Sequence, residues 1–250
     1  MRALIFAERN LKEIVRDLLS VIFCIAFPIG LFFVLELIVS SIPEEGLAQV
    51  PQFKINNLSS SIAVFGFSFI TLFSGMLISK DRTTSFQARL NSSPLKSSEF
   101  ILGYTLPLLP IAIIQAIIVF VCSLLFGLEF NGRLLLAIIG LMPAALLFIG
   151  LGLLIGSVFN DKSVGGISSI IVNMAAILGG MFFPLETMSG AIVTIANIFP
   201  FVHAIKISSN ALNGNYSGMI KPLIIVLAYT IVIFVVAIYA FNKKMKNEKK

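Results

Sequence analysis

Charge is scarce in this sequence. Of 250 residues, 18 are Lys or Arg and 12 are Asp or Glu, together 12% of the chain. A soluble domain coats itself with roughly a quarter charged residues, so most of this surface must face something other than water. Tryptophan is absent, histidine occurs once and cysteine twice. A lone histidine, His203, excludes metal sites built on paired histidines. Cys24 and Cys122 lie inside apolar runs and read as inert small hydrophobes, neither disulfide partners nor metal ligands. No Gly-Lys pair occurs, so the phosphate-cradling G-x-x-x-x-G-K-[ST] pattern is missing and ATP hydrolysis by that route is excluded. No strained Gly-x-Ser-x-Gly turn occurs either, which leaves a serine–histidine dyad without support and favours a packing or interfacial role for His203. The net charge of +6 has little water-exposed face on which to form a nucleic-acid patch.

What is abundant is apolar length. Hydrophobic residues make up 58% of the chain, and the mean hydropathy is +1.01. Crossing the hydrocarbon core takes about 20 apolar residues. Six segments satisfy this: 18–42, 61–79, 101–126, 134–159, 164–183 and 221–241. A seventh run, Thr187 to Ile205, carries Asn197, Pro200 and His203 and suits a lipid-facing helix poorly. With six spans, fourteen cations fall in one set of alternating loops: Arg2, Arg9, Lys12, Arg16, Lys80, Arg82, Arg89, Lys96, Lys162, Lys243, Lys244, Lys246, Lys249 and Lys250. Only Lys54, Arg133, Lys206 and Lys221 fall in the other. The positive-inside rule then places both termini and the loop 80–99 in the cytoplasm, and makes 184–220 an external excursion of short or re-entrant helices. The expected fold class is therefore an all-α integral membrane protein with six transmembrane helices. No cleavable signal peptide and no inverted repeat are evident.

Residues 1–17 read as an amphipathic interfacial helix, with Leu4, Ile5, Leu11, Ile14, Val15 and Leu18 at helical spacing and Arg9, Lys12, Glu13 and Arg16 on the other side. The alternative is a cytosolic extension of the first span. Glu36 is the one acid inside an apolar span, which makes a functional role the default, balanced against simple hydration at the outer interface. The loop 80–99 contains a short amphipathic helix, 81–90, in which Phe86 and Leu90 share a face flanked by Arg82 and Arg89. Asn91 to Pro94 stop it, and Ser97-Ser98-Glu99 caps the third span. Exposed apolar teeth among cations suit a docking knob for a soluble partner; a solvated loop would account for the cations but not for Phe86 and Leu90.

On this ordered set, together with Gly179-Gly180-Met181-Phe182-Phe183-Pro184-Leu185-Glu186-Thr187-Met188 and Asn197-Ile198-Phe199-Pro200-Phe201-Val202-His203-Ala204, the sequence resembles the permease subunit of type-2 ABC exporters over nearly its whole length. In that family the loop between the second and third spans carries an acid- and arginine-rich run, Gly-Thr, Arg-Leu and a Thr-Pro-Leu-like turn. Asp81, Arg82, Arg89, Leu90 and Ser93-Pro94-Leu95 fit, while Thr84 replaces a second arginine and Ser85-Phe86 the Gly-Thr. The resemblance implies one transmembrane domain over 1–250, ending in a basic cytoplasmic tail at 242–250. It implies a pair of permeases, identical or paralogous, in a bacterial plasma membrane, and two copies of a separate ATPase subunit that holds ATP and Mg. No cofactor or metal is expected in this chain, and no nucleic acid as partner.

It further assigns ATPase coupling to Asp81, Arg82, Phe86, Arg89 and Leu90, and an outer gate to Phe183 and Pro184. Pro107 and Pro110 interrupt the hydrogen-bond ladder of the third span and offer a hinge. Gly152 and Gly156 form a small-xxx-small pair suited either to a dimer seam or to packing within the chain. The 23 phenylalanines favour an amphiphilic or hydrophobic cargo, such as a drug, peptide or lipid-like molecule. The alternative function is a stand-alone secondary transporter or channel using Glu36; a membrane-embedded hydrolase would need His203.

Overall fold

The computed structural model describes residues 2–17, 22–47, 49–83, 97–185 and 189–247. The described residues are predominantly helical, and no strand occurs among them. Six helices are long and apolar enough to cross a membrane: Ile22–Val39, Ile55–Arg82, Ser97–Leu124, Gly132–Val158, Asp161–Leu178 and Tyr216–Lys244, called spans one to six here. An interfacial helix, Arg2–Arg16, precedes them. Two shorter helices, Ala191–Ile198 and Pro200–Leu212, meet at 78° between spans five and six.

Span two is the axis of the bundle, with 78% of its apolar window buried. Its small polar residues explain how neighbours come so close. Thr71 Oγ1 donates to Phe148 O at 2.8 Å and Ser74 Oγ to Ile149 O at 3.3 Å, both across to span four. A Cβ on Gly152 would overlap Thr71 O, and one on Gly156 would overlap Gly75 O. The small-xxx-small pair is therefore spent inside the chain, backbone against backbone, and not at a dimer seam.

Several boundaries move for identifiable reasons. Span five stops at Leu178, not 183, because Gly180 takes φ +77°. Met181 N then bonds to Ala176 O at 3.3 Å and Gly180 N to Ile177 O at 3.2 Å, a Schellman cap that closes the helix. Span two begins six residues earlier than 61, because Asn56, Asn57 and Ser60 are satisfied by the bent pair and not by water alone. Span one opens with a π-helical turn, Ile22–Ala26, which interrupts the ladder just where Pro28 lacks an N–H.

The interfacial helix also presents a different face from the one its sequence suggested. Phe6, Ala7, Asn10 and Ile14 are buried, while Leu4, Ile5, Leu11 and Val15 are exposed. Gly103 on span three creates the seat: a Cβ there would collide with the Phe6 ring. Phe6 lies edge-on to Phe100 and Tyr104, with ring centroids 5.7 and 4.9 Å apart. Leu4, Leu11 and Val15 then form a second apolar strip beside the charged face, the layout of a helix lying in an interface.

Candidate functional site at the charged end of the bundle

Of the five residues nominated for coupling, Asp81 and Arg82 flank 84–96. Phe86, Arg89 and Leu90 lie outside the described residues. Asp81 and Arg82 do not start a separate helix; they continue the helix of span two, which ends at Thr83. Asp81 is only 4% exposed. Arg9 of the interfacial helix grips its carboxylate with both nitrogens, at 2.7 and 3.0 Å, and Tyr104 Oη donates to it at 2.9 Å. Arg9 also meets Glu13 at 2.8 Å. Burial pulls the Arg9 pKa down, but the Asp81 carboxylate outweighs this and holds it above its ordinary value, so the guanidinium stays charged. Arg82 turns the other way and donates to Gly156 O at 2.7 Å, Ser157 O at 2.8 Å and Phe159 O at 3.3 Å. Those carbonyls end span four, where a helix has no N–H of its own to offer and a cation is favoured by the dipole.

Asn10, which sequence reasoning passed over, completes the cluster. Its Nδ2 donates to Gly103 O at 3.1 Å, and the side chain is fully buried. In an unbroken α-helix Gly103 O would accept from residue 107, but Pro107 has no N–H. The interfacial helix thus supplies the donor that the proline removes. The available signal was a buried-phase asparagine in an amphipathic helix paired with a proline four residues beyond a glycine. Pro107 is buried in span three and Pro110 is exposed, and the helix continues through both.

Beside the cluster a cavity of about 1070 Å³ opens between the interfacial helix and the adjoining ends of spans two and five. Charged groups line it, among them Arg9, Lys12, Glu13, Lys80 and Asp161, and so do Phe73 and Met76. Phe69, Phe73 and Met76 share one face of span two, and Phe69 meets Phe27 and Phe65 with centroids 5.1 and 5.2 Å apart. A charged mouth thus leads onto a phenylalanine-lined wall.

The remaining nominated residues lie elsewhere. Glu36 occupies the last turn of span one; its backbone carbonyl accepts from Ser40 N at 2.8 Å, and its carboxyl has no hydrogen-bond or ion-pair partner among the described residues. Phe183 is exposed, and with Pro184 it lines a small cavity at the other end of span two. His203 Nε2 lies 2.9 Å from Asn197 O and Tyr229 Oη donates to Ile198 O at 2.7 Å. A carbonyl can only accept, so Nε2 carries the proton, and both side chains cap the helix that breaks at Phe199.

The profile of the ABC-2 family transporter proteins matches residues 47–239. The chain is 22% identical to "Putative transport permease YvfS" of Bacillus subtilis over 241 residues, covering 94% of this chain and 95% of that protein. It is 25% identical over 178 residues to "ABC transporter G family member 20" of Dictyostelium discoideum, covering 68% of this chain but only 24% of that much longer protein.

Proposed function

Because this chain belongs to the ABC-2 transporter family, whose members are membrane permeases of ABC transporters, we propose that it forms one half of an ATP-driven exporter for amphiphilic cargo. A separate ATPase, present twice in the complex, binds ATP and Mg and docks on the segment 80–99, with both termini on that cytoplasmic side. The observation that carries the reading is the cluster Arg9–Asp81–Tyr104 with Asn10–Gly103. Both flanks of 84–96 are tied through it to the interfacial helix, and Arg82 ties the same point to span four. A push on the segment therefore reaches the interfacial helix and three spans at once, and the hinge at Pro107 receives it directly. The amphiphilic cargo rests on the mixed lining of the large cavity and the phenylalanine wall beyond it.

The pairing surface is proposed from a contrast. Span six is only 17% buried but has mean hydropathy 2.9, as lipid contact requires. Span five is 22% buried with mean hydropathy 1.2, the lowest of the six. Its exposed face carries Gly166, Ser169 and Asn173, whose polar side chains bond only to their own helix at 2.8 Å each. A second permease copy, with the pathway between them, removes that face from lipid.

Purification of the tagged chain in mild detergent is expected to bring down an ATPase, and Phe86→Asp or Arg89→Glu to leave ATP hydrolysis uncoupled from transport. Recovery of the chain without any nucleotide-binding partner across several detergents overturns the reading. Ser169→Cys on a cysteine-free background is expected to cross-link between copies, and Val235→Cys in span six is not. The rival reading needs Glu36: transport driven by a proton gradient without ATP, abolished by Glu36→Gln, would establish it instead.

A further inference from the structure

At the end of span two remote from Asp81 lies a half-open cavity of about 80 Å³. Four pieces of chain build it: the turn Pro51–Phe53, the start of span two, the Gly179–Leu185 turn and the second helix of the bent pair. Its polar lining divides into used and unused groups. Asn57 donates to Pro51 O at 2.7 Å and accepts from Ser209, so those two side chains are engaged with each other and with the backbone. Three others are not. Gln52 is 8% exposed, and its buried Oε1 has no hydrogen-bond partner. Ser61 is 2% exposed and its hydroxyl makes no hydrogen bond among the described residues. Lys206 has no ion-pair partner among the described residues. A buried amide oxygen normally finds a donor, because leaving it unpaired costs the full desolvation penalty. Phe183, Leu185, Val202 and Ile205 form the apolar part of the lining.

We propose that this cavity binds the end group of an acylated α-amino acid, –CO–NH–CHR–COO⁻ with a small R, as found at a peptide C-terminus or in an N-acyl amino acid. Lys206 and Ser61 donate to the carboxylate, and Gln52 Oε1 accepts from the amide N–H one carbon away. Phosphate, sulfate and simple carboxylates satisfy the first two groups and leave Gln52 orphaned. The volume accommodates a carboxylate, its α-carbon and a methyl-sized substituent, and the remainder of the ligand leaves through the open side. The inference rests on the permease reading only in placing this cavity on the exit side. Its test needs neither ATPase nor transport, so either can fail alone.

The chain in detergent is titrated calorimetrically with N-acetylglycine, N-acetylglycinamide and acetate. Saturable binding of N-acetylglycine is expected, about tenfold or more tighter than acetate, with none for the uncharged amide. Lys206→Met, which keeps the apolar stem, should weaken N-acetylglycine at least about tenfold. Gln52→Leu should bring N-acetylglycine down to the level of acetate while leaving acetate unchanged, a result that a misfolded protein would not give. Binding that is absent, that survives Lys206→Met, or that keeps its preference over acetate in Gln52→Leu overturns the proposal. Ala-Ala-Gly and N-octanoylglycine then separate the two sources: the one that binds tighter names the peptide or the lipid-like ligand.

Discussion

The two ends of span two are held to their neighbours by different chemistry, although one helix carries both. At Asp81 every tie involves a charged group, and the Asp81 carboxylate is buried: two nitrogens of Arg9 at 2.7 and 3.0 Å, the Tyr104 hydroxyl at 2.9 Å, and Arg82 on the carbonyls that end span four. At Asn56 they are neutral: Asn56 to Asn213 at 2.8 Å, Ser60 to Ser208 at 2.9 Å, and Asn57 with Ser209. Charge-assisted hydrogen bonds are about twice as strong as neutral ones and depend more strictly on geometry. Under the proposed function the charged end is expected to move with the interfacial helix, span three and span four, and the neutral end, apart from its buried Ser60–Ser208 bond, to be the weaker attachment. A transmission needs this asymmetry, a stiff input and a yielding output.

The largest effect is expected at the stiff end. Asp81→Asn removes a buried carboxylate and leaves Arg9 facing a neutral amide. Breaking a buried pair costs about 3–5 kcal/mol, but Arg9 is 36% exposed and can be partly rehydrated, so about 2–3 kcal/mol is the expected loss. Melting followed with a thiol-reactive dye measures it directly, since Cys24 is buried, Cys122 half-buried and tryptophan absent. ATP-driven transport is expected to fall with it. A smaller loss there than from the changes at the Asn56 end would invert the comparison.

Next comes Asn10. Asn10→Leu orphans Gly103 O and should cost about 1–2 kcal/mol. Pro107→Ala gives span three back the N–H that Gly103 O lacks, so in that background Asn10→Leu should cost little. A double-mutant cycle reads the coupling between residues 10 and 107. Equal costs in both backgrounds would show that Asn10 serves something other than the proline.

How much of this was visible in the sequence depended on whether the determining interaction was local. Six spans, the interfacial helix and the reading of 187–205 as poor material for a further span follow from hydropathy, periodicity and proline chemistry, all of which act within one turn or one helix. The face that the interfacial helix buries did not follow. Phe6 and Ala7 turn inward because Gly103, nearly a hundred residues away, leaves a hollow. Asp81 read as part of the docking helix 81–90 because its partners Arg9 and Tyr104 stand on other helices. Gly152 and Gly156 were legible as a close-approach motif, but which helix they approach was not. The unpaired Gln52 oxygen is invisible to any pattern, since it is defined by the partner it lacks.

At the yielding end the expected costs are small and graded by burial. Asn57→Ala removes a half-buried hub that donates to Pro51 O and accepts from Ser209, and should cost about 1 kcal/mol.

Asn56→Ala marks the lower limit. Its bond to Asn213 joins a half-buried amide to an exposed one at a water-accessible contact, and water replaces most of each partner once the other is gone. The net loss should be a few tenths of a kcal/mol, within the scatter of ordinary surface substitutions. Transport is the sharper measurement. If the bent pair must separate from span two during the cycle, weakening this contact removes a small barrier, so turnover should be unchanged or slightly faster while the melting temperature barely moves. A transport defect in Asn56→Ala as deep as that of Asp81→Asn would mean that the Asn56 end carries force as well, and the division into a stiff input and a yielding output would fail.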